Sequence, residues 1–377
     1  MKQSSSYTIL HVFDDAIISL DTIYLFLKLE EYNQTFAIIT SDTEKWDKID
    51  LPLLFIKNNK NSVTEIHALM QQFDVIIIQA LSYEKAKAIN KFNNKKSVII
   101  WALWGYELYN IAQYFTKTKL EFSTTTRNKG ILQRIKDYYA FKIIYQRAVQ
   151  KIDISLFLLK EDFDLLSSCI PNAMIWKEAC YQTVNNLIGE NSSFKSTGNS
   201  ILIGNSSTPS NRHEIAFNQL SKLNLNERNI IVPLSYGDNE YRDKVLTAGK
   251  LKFGNKFNPL KEFMSKDSYS QLLSSCSHAI FAHERQQAFG SILTMLLGGA
   301  KVFLSRVNPL FNWFNQHKII VFSLESDFES EIEKPLSDID KQYNAEQLNL
   351  LLSEKRILNQ LDDVLTSSLN LLKSKNN

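Results

Sequence analysis

The sequence predicts an α/β chain of two Rossmann-like domains whose parallel sheets face each other across a cleft, and three observations predict it. Length is the first: 377 residues exceed an ordinary single domain, and 44% hydrophobic content supplies apolar surface for two cores. The second is alternation, since short β-branched runs recur between longer stretches of helical spacing, as in a parallel sheet covered on both faces. The third is repetition of that pattern on either side of a segment rich in Gly, Ser and Asn at residues 189–200.

In the first half, residues 7–12, 36–40, 53–56, 74–79 and 97–104 read as strands, with helices at 19–30, 62–72 and 83–92. In the second, strands are expected at 201–204, 229–234, 278–282, 301–305 and 318–322, and helices at 210–223, 239–248, 266–276 and 286–297. The domains are then residues 1–188 and 189–342, followed by a segment 343–377 whose long helix, 345–372, packs back on the first domain. Leu351, Leu358, Leu365 and Leu372 fall at heptad spacing in that helix, so a coiled coil is the alternative use of the same stripe. Because strand-to-helix loops gather at the carboxyl ends of both sheets, the ligand site is expected there, in the cleft.

A net charge of +3 is too mild for a nucleic-acid binder. Cys169, Cys180 and Cys276 lack paired spacing, so neither a disulfide framework nor a zinc site is expected. His67, His278 and His317 are scattered, and Asp338 and Asp340 do not follow a strand; no metal and no cofactor are expected. Residues 1–6 lack a secretory leader's apolar region, and the longest apolar runs fall short of the roughly 18 residues of a membrane span. A cytoplasmic protein is therefore expected, peripheral on the inner face of a membrane where it meets one. Between Arg127 and Lys151 the only acidic residue is Asp137, against Arg127, Lys129, Arg134, Lys136, Lys142, Arg147 and Lys151. Helical spacing gathers Lys136, Arg147 and Lys151 on one side and Ile131, Ile135, Tyr138, Tyr145 and Val149 on the other. Docking on anionic lipid is expected, at about 1 kcal/mol per basic residue near the surface; a solvated basic face packed normally beneath is the alternative.

Four motifs carry chemistry. Residues 201–207, Ile-Leu-Ile-Gly-Asn-Ser-Ser, read as a buried strand ending in a turn where Gly204 lets a ligand approach the backbone and Asn205 and Ser206 offer donors. Ser210 is expected to cap the helix that follows. Residues 283–291, His-Glu-Arg-Gln-Gln-Ala-Phe-Gly-Ser, set the always-charged Arg285 beside a helix N-terminus, a receptor for a diphosphate that needs no metal; a helix start whose Arg285 pairs with a surface carboxylate is the alternative. Residues 101–109 bring aromatics and Glu107 to a strand end, where they suit sugar faces or ordinary core packing. In Val232-Pro233-Leu234-Ser235-Tyr236-Gly237, Tyr236 faces a base or sugar, or simply forms a turn.

In this order, WGYELY, ILIGNSSTPSNRH, VPLSYG, HERQQAFGSIL and NPLFNWF resemble the TDP-N-acetylfucosamine:lipid II N-acetylfucosaminyltransferase family of enterobacterial common antigen synthesis. The resemblance implies a GT-B fold, a TDP-linked 4-acetamido-4,6-dideoxy sugar held by the second domain, and a polyprenyl-diphosphate-linked oligosaccharide acceptor held by the first. It places Gly204, Asn205, Ser206, Asn211 and His213 on the donor side, Pro233 and Tyr236 near the nucleotide, and Arg285, Gln286, Gln287 and Gly290 at the diphosphate and sugar, with Asn308 in a matching turn. The chain departs from the family's pattern at Glu107, where Asp is typical, at Thr208-Pro209, and at Ala288-Phe289, and those departures bear on the donor sugar. Residues 286–290 are also similar to the Glu-Pro-Phe-Gly segment of the large retaining GT-B class, with Gln in place of its carboxylate.

Transfer needs a stabilised leaving diphosphate and, if the anomeric configuration inverts, a general base. Arg285 and the helix beginning near Gln286 serve the first need. Asp15 or Glu107 is expected to serve the second, ahead of Asp14 and His11, with simple helix capping by Asp14 and Asp15 as the alternative. Competing readings are a GT-B transferase with another nucleotide sugar, a non-catalytic nucleotide-sugar-binding protein, and an epimerase. The first strand has no glycine, which argues against the last.

Overall fold

A computed structural model describes residues 7–46, 49–116, 130–189 and 194–376. Among these, one compact unit takes the residues up to Thr116, residues 130–181 and those from Glu354 onward, and the other takes 182–353.

The first unit runs β1 (Thr8–Asp14), α1 (Ile17–Leu27), β2 (Asn33–Thr40), β3 (Leu53–Lys57), α2 (Ser62–Met70), β4 (Val75–Gln79), α3 (Tyr83–Lys91), β5 (Val98–Ala102) and α4 (Tyr106–Ala112). Next come α5 (Ile131–Tyr139), a π-helical turn Ala140–Tyr145, α6 (Gln146–Val149), β6 (Ile154–Leu156), α7 (Lys160–Cys169) and β7 (Ile175–Lys177). Its seven strands lie parallel in the order β3-β2-β1-β4-β5-β6-β7. The second unit runs α8 (Val184–Ile188), β8 (Ser200–Ile203), α9 (His213–Leu220), β9 (Ile230–Pro233), α10 (Asn239–Phe253), β10 (Phe257–Leu260), α11 (Lys266–Ser274) and β11 (Cys276–Phe281). It ends with α12 (Phe289–Leu297), β12 (Lys301–Leu304), α13 (Pro309–Gln316), β13 (Phe322–Ser323), α14 (Phe328–Glu331) and α15 (Asp338–Leu351). Its six strands are parallel in the order β10-β9-β8-β11-β12-β13.

Central strands such as β4 and β11 are buried along their whole length, because helices cover both faces of a parallel sheet. Strand order reverses direction between β1 and β4 in one sheet and between β8 and β11 in the other. At such a switch point the neighbouring loops leave in opposite directions and open a crevice at the carboxyl ends of the strands.

The single helix expected at 345–372 is two helices. Ser337 caps α15, its Oγ accepting from the Asp340 N–H at 3.1 Å, and Leu352 then leaves helical geometry before α16 (Glu354–Asn376) begins. The break falls where the chain passes from the second unit to the first. Ile357, Leu361, Val364, Leu365 and Leu372 form the buried stripe of α16, which packs on α1, β4 and β5, so the apolar repeat is consumed in one core and leaves none for a coiled coil. The Tyr32 hydroxyl on Asp362 at 2.6 Å, within the helix, and Lys375 on Asp153 at 2.7 Å, at its end, tie α16 to the first unit. The division between units lies at residue 182 rather than 189, and residues 190–193 of the expected linker lie outside the described residues. Among the described residues no helix is long and apolar enough to cross a membrane.

Leu361→Ala, which empties a fully buried position, is expected to lower the unfolding free energy by about 2–5 kcal/mol in urea titrations. Leu350→Ala, at a residue 68% exposed, should stay within about 0.5 kcal/mol of the parent.

Candidate functional site

At the switch point of the second sheet, the loop leaving β8 is folded around its own polar side chains. Gly204 adopts φ +66°, and a β-carbon there would come 2.9 Å from His213 Nε2 and 3.0 Å from Asn211 Oδ1, so only glycine fits. The buried Asn211 donates from Nδ2 to the Ser206 carbonyl at 2.8 Å, Ser206 Oγ at 2.9 Å and Thr208 Oγ1 at 2.9 Å, and accepts from the Asn205 N–H at 3.3 Å. Arg212 then turns through φ 51° and α9 starts at His213, later than the expected 210. Ser210 does not cap that helix; its hydroxyl donates instead to Gln287 Oε1 at 2.7 Å.

Gln287 joins the two loops of the switch point. Its Oε1 accepts from Ser210 and, at 2.9 Å, from Arg285 Nε, while its Nε2 donates to Asn205 Oδ1 at 3.0 Å and Thr208 Oγ1 at 3.3 Å. An Arg212–Glu284 ion pair makes a second tie between them. The helix expected from Gln286 starts at Phe289, because Ala288 takes the left-handed conformation at φ 57° and the Gln287 side chain is engaged in the loop. The amides ahead of the first intrahelical bond, Ile292 N–H to the Ala288 carbonyl at 2.9 Å, therefore belong to Phe289, Gly290 and Ser291. Two non-glycine residues held left-handed, each just before a helix, store strain where the loops meet.

The predicted donor residues divide into two groups. Asn205, Tyr236, Gln286 and Gly290 stay wholly or partly accessible, and the Tyr236 hydroxyl accepts from Asn205 Nδ2 at 2.9 Å. Ser206, Asn211, His213, Pro233, Arg285 and Asn308 are buried. Pro233 sits inside β9 paired with Leu260. Asn308 caps α13 and donates to His283 Nδ1 at 2.7 Å and the His283 carbonyl at 3.0 Å, which bolts the Arg285 loop to the next one. Arg285 is only 5% exposed, so its guanidinium lies beneath the loop surface.

In the first unit, the candidate bases separate by environment. Asp15 pairs with Lys45 and accepts from Thr40 Oγ1 at 2.6 Å; burial works to raise its pKa, but those partners outweigh it and leave it below the ordinary value, a poor base. Glu107 is 2% exposed and accepts from the Trp104 N–H at 3.0 Å, and burial raises its pKa against that bond. His11 is buried on Gln34 and driven to about 3 by burial, so it stays neutral and is too weakly basic to take a proton near neutrality. Asp14 and Asp15 both pair a cation; Asp14 meets Lys85 at 3.0 Å, and its side chain is 31% exposed against 20% for Asp15. Trp101 is core, stacked edge-on against Phe157 at 5.0 Å. Sequence reasoning also missed a cavity of about 520 Å³ walled by Tyr83, Tyr139, Phe141 and Tyr145 with Lys136 and Asp137. The aromatic signal was present, but its gathering needs the π-helical turn, which stacks Phe141 on Tyr145 at 5.0 Å.

The basic segment is also rearranged. Lys151 caps the end of α3, donating to the carbonyls of Ile89, Asn90 and Phe92, so its charge is spent inside the unit. Lys136 and Arg147 are exposed, while Arg127 and Lys129 lie outside the described residues. Ile131, Ile135 and Tyr138, expected to pack underneath, are 77%, 60% and 59% exposed, and Leu132 and Tyr139 join them on the open face of α5. Among the described residues no group of three or more His, Cys, Asp or Glu is placed to hold a metal.

Residues 6–348 match the family described as 4-alpha-L-fucosyltransferase, glycosyl transferase group 56, and the chain belongs to it. The whole fold is similar to that of Anabaena HepE in its complex with UDP-glucose, at TM-score 0.68 and 12% identity over 96% of this chain and 100% of that one. A Rickettsia africae glycosyltransferase matches at TM-score 0.61 and 16% identity, covering 96% and 98% of the two chains. WaaG, a glycosyltransferase of lipopolysaccharide biosynthesis, matches at 0.60 and 12%, covering 95% and 99%. The fold is GT-B, and the protein is a glycosyltransferase.

Gln287→Ala removes four hydrogen bonds at once and is expected to cost about 1–3 kcal/mol of stability, read from the urea midpoint. Burial also holds His213 and His283 at a pKa of about 3, against an ordinary 6.5. Below pH 6.5 the unfolded chain binds protons that the folded chain refuses, so stability present above that pH drains away as pH falls toward 3. Unfolding free energies measured between pH 7 and 5 should decline by about 1.4 kcal/mol per pH unit below 6.5 for each such histidine, and His213→Gln should flatten the decline.

Proposed function

With group 56 membership as premise, we propose that the enzyme moves a 4-acetamido-4,6-dideoxyhexose from a TDP-sugar to a polyprenyl-diphosphate-linked glycan of the bacterial surface. The observation that carries the donor half is the Gln287 staple, which gathers the Gly204 turn, the Tyr236 hydroxyl and the N-terminus of α12 at one switch point. The UDP and UDP-glucose complexes of HepE, on the same fold, support a nucleotide-sugar donor. The amides of Phe289, Gly290 and Ser291 receive the diphosphate, and the charge of Arg285 beneath the loop favours its departure. Asn205 and Tyr236 meet the sugar or base. On the acceptor half, Asp14 is the general base for an inverting transfer, and the aromatic cavity under α5 suits the faces of a glycan.

The lipid carrier of the acceptor gives α5 its purpose. An apolar face of Ile131, Leu132, Ile135, Tyr138 and Tyr139, flanked by Arg134 and Lys136, has the form of an interfacial helix that sinks into an anionic leaflet. The hydrophobic face leads and the basic residues steer, the reverse of what charge alone implied.

A thermal-shift panel of nucleoside diphosphates, followed by release of nucleoside diphosphate from the matching sugars, tests the donor half. TDP should give the largest shift; a clear preference for UDP or GDP would replace the donor. For the membrane half, flotation with vesicles containing phosphatidylglycerol should recover more protein than with phosphatidylcholine alone, and Ile135→Asp should abolish recovery on both. Undiminished flotation of Ile135→Asp would remove α5 from the account.

A further inference from the structure

The switch point of the first sheet holds a cation that neither motif nor spacing singles out. Lys85, in the first turn of α3, has no exposed surface, yet its ammonium donates to the Gln79 carbonyl at 2.6 Å, the Ala80 carbonyl at 3.2 Å and Asp14 Oδ1 at 3.0 Å. Three acceptors meet the three N–H donors of an ammonium, the condition under which burying one is tolerable. Ala80, a non-glycine residue held at φ 55°, supplies one of those acceptors, so the β4–α3 loop bears left-handed strain in the stretch that solvates this charge. Asp14 ends β1 and Gln79 ends β4, the adjacent strands between which the order reverses. The pair therefore spans the crevice where an α/β sheet binds its ligands. Two further buried polar atoms of this cluster, Gln79 Nε2 and Glu107 Oε2, have no hydrogen-bond partner among the described residues.

We propose that Lys85 is a positioning residue for the transfer: by holding Oδ1 of Asp14 it fixes the carboxylate so that its other oxygen faces the acceptor hydroxyl. In the step, the acceptor oxygen bonds to the anomeric carbon and the bond from that carbon to the diphosphate breaks, its electron pair leaving with the nucleoside diphosphate. The hydroxyl proton passes to Asp14 Oδ2. Lys85 exchanges no proton and touches no substrate. This inference rests on Asp14 as the base, and the test separates the two.

Transfer by the full chain is measured with the nucleotide sugar and acceptor that give turnover, for Lys85→Met, Asp14→Asn and the double variant, alongside the thermal shift given by TDP. Lys85→Met should lower kcat about 10²-fold or more, with the donor KM and the TDP-induced shift within about twofold of the parent, since the donor site is untouched. The double variant should be no slower than Asp14→Asn, because a positioning residue has nothing left to position once its carboxylate is gone. Lys85→Gln keeps a donor for the carbonyls and drops the charge; it should show the same kcat loss and stands in if the Met variant does not fold. Full turnover in Asp14→Asn would sink the base assignment and this inference together. Loss in Asp14→Asn with kcat retained in Lys85→Met and Lys85→Gln, or additive losses in the double variant, would overturn the role of Lys85 alone.

Discussion

A polar side chain taken out of water must find partners inside, and that requirement organises both halves of this molecule. Gln287 is the plainest case, since its one amide carries four bonds and thereby fixes how the loops after β8 and β11 meet. Asn211 folds the first of those loops and Asn308 anchors the second, so the surface that faces a ligand is defined from below by neutral amides. In the first unit the same requirement is met with charge, where the ammonium of Lys85 draws two carbonyls and a carboxylate toward itself. The two switch points are thus supported by different chemistry, which suits the different work proposed for them: cradling an anion with amides in one, orienting a carboxylate in the other.

The alternation of apolar runs located ten of the thirteen strands among the described residues, because a strand buried on both faces leaves an unbroken β-branched stretch such as Val75–Gln79. It missed the short β6, β7 and β10 and set β13, which is only Phe322–Ser323, at 318–322. Helix limits were less legible. Ala288 and Arg212 are left-handed residues that no propensity would place there, and each delays a helix that periodicity starts too early. The split between α15 and α16 was hidden because an apolar stripe runs through both, while its two parts serve different cores.

Among the site residues, sequence pointed to loops at strand ends but did not show which of their side chains stay accessible and which are buried. The resemblance set Asn211 and His213 on the donor side and Asn308 in a matching turn, and all three are buried. Asp15 and Glu107 were placed before Asp14 on their positions at strand ends, and Lys85, which pairs with Asp14, lies 71 positions away and is separated from it by three strands and two α-helices of chain. The basic run at 127–151 was visible as charge, but the spending of Lys151 on the end of α3 and the bare face of α5 depend on what packs nearby, which linear pattern does not record.

The return of the chain to its first unit at Glu354 has a consequence for biosynthesis. The second unit is continuous over 182–353, so its six strands have all left the ribosome while the first still lacks the helix that covers β4 and β5. Domains fold as they emerge, N-terminal parts usually first, yet here the earlier sheet must wait for α16, translated after the whole second unit. A nascent chain in which α16 has yet to emerge would carry a complete second sheet and a first sheet whose β4 and β5 still lack their covering helix.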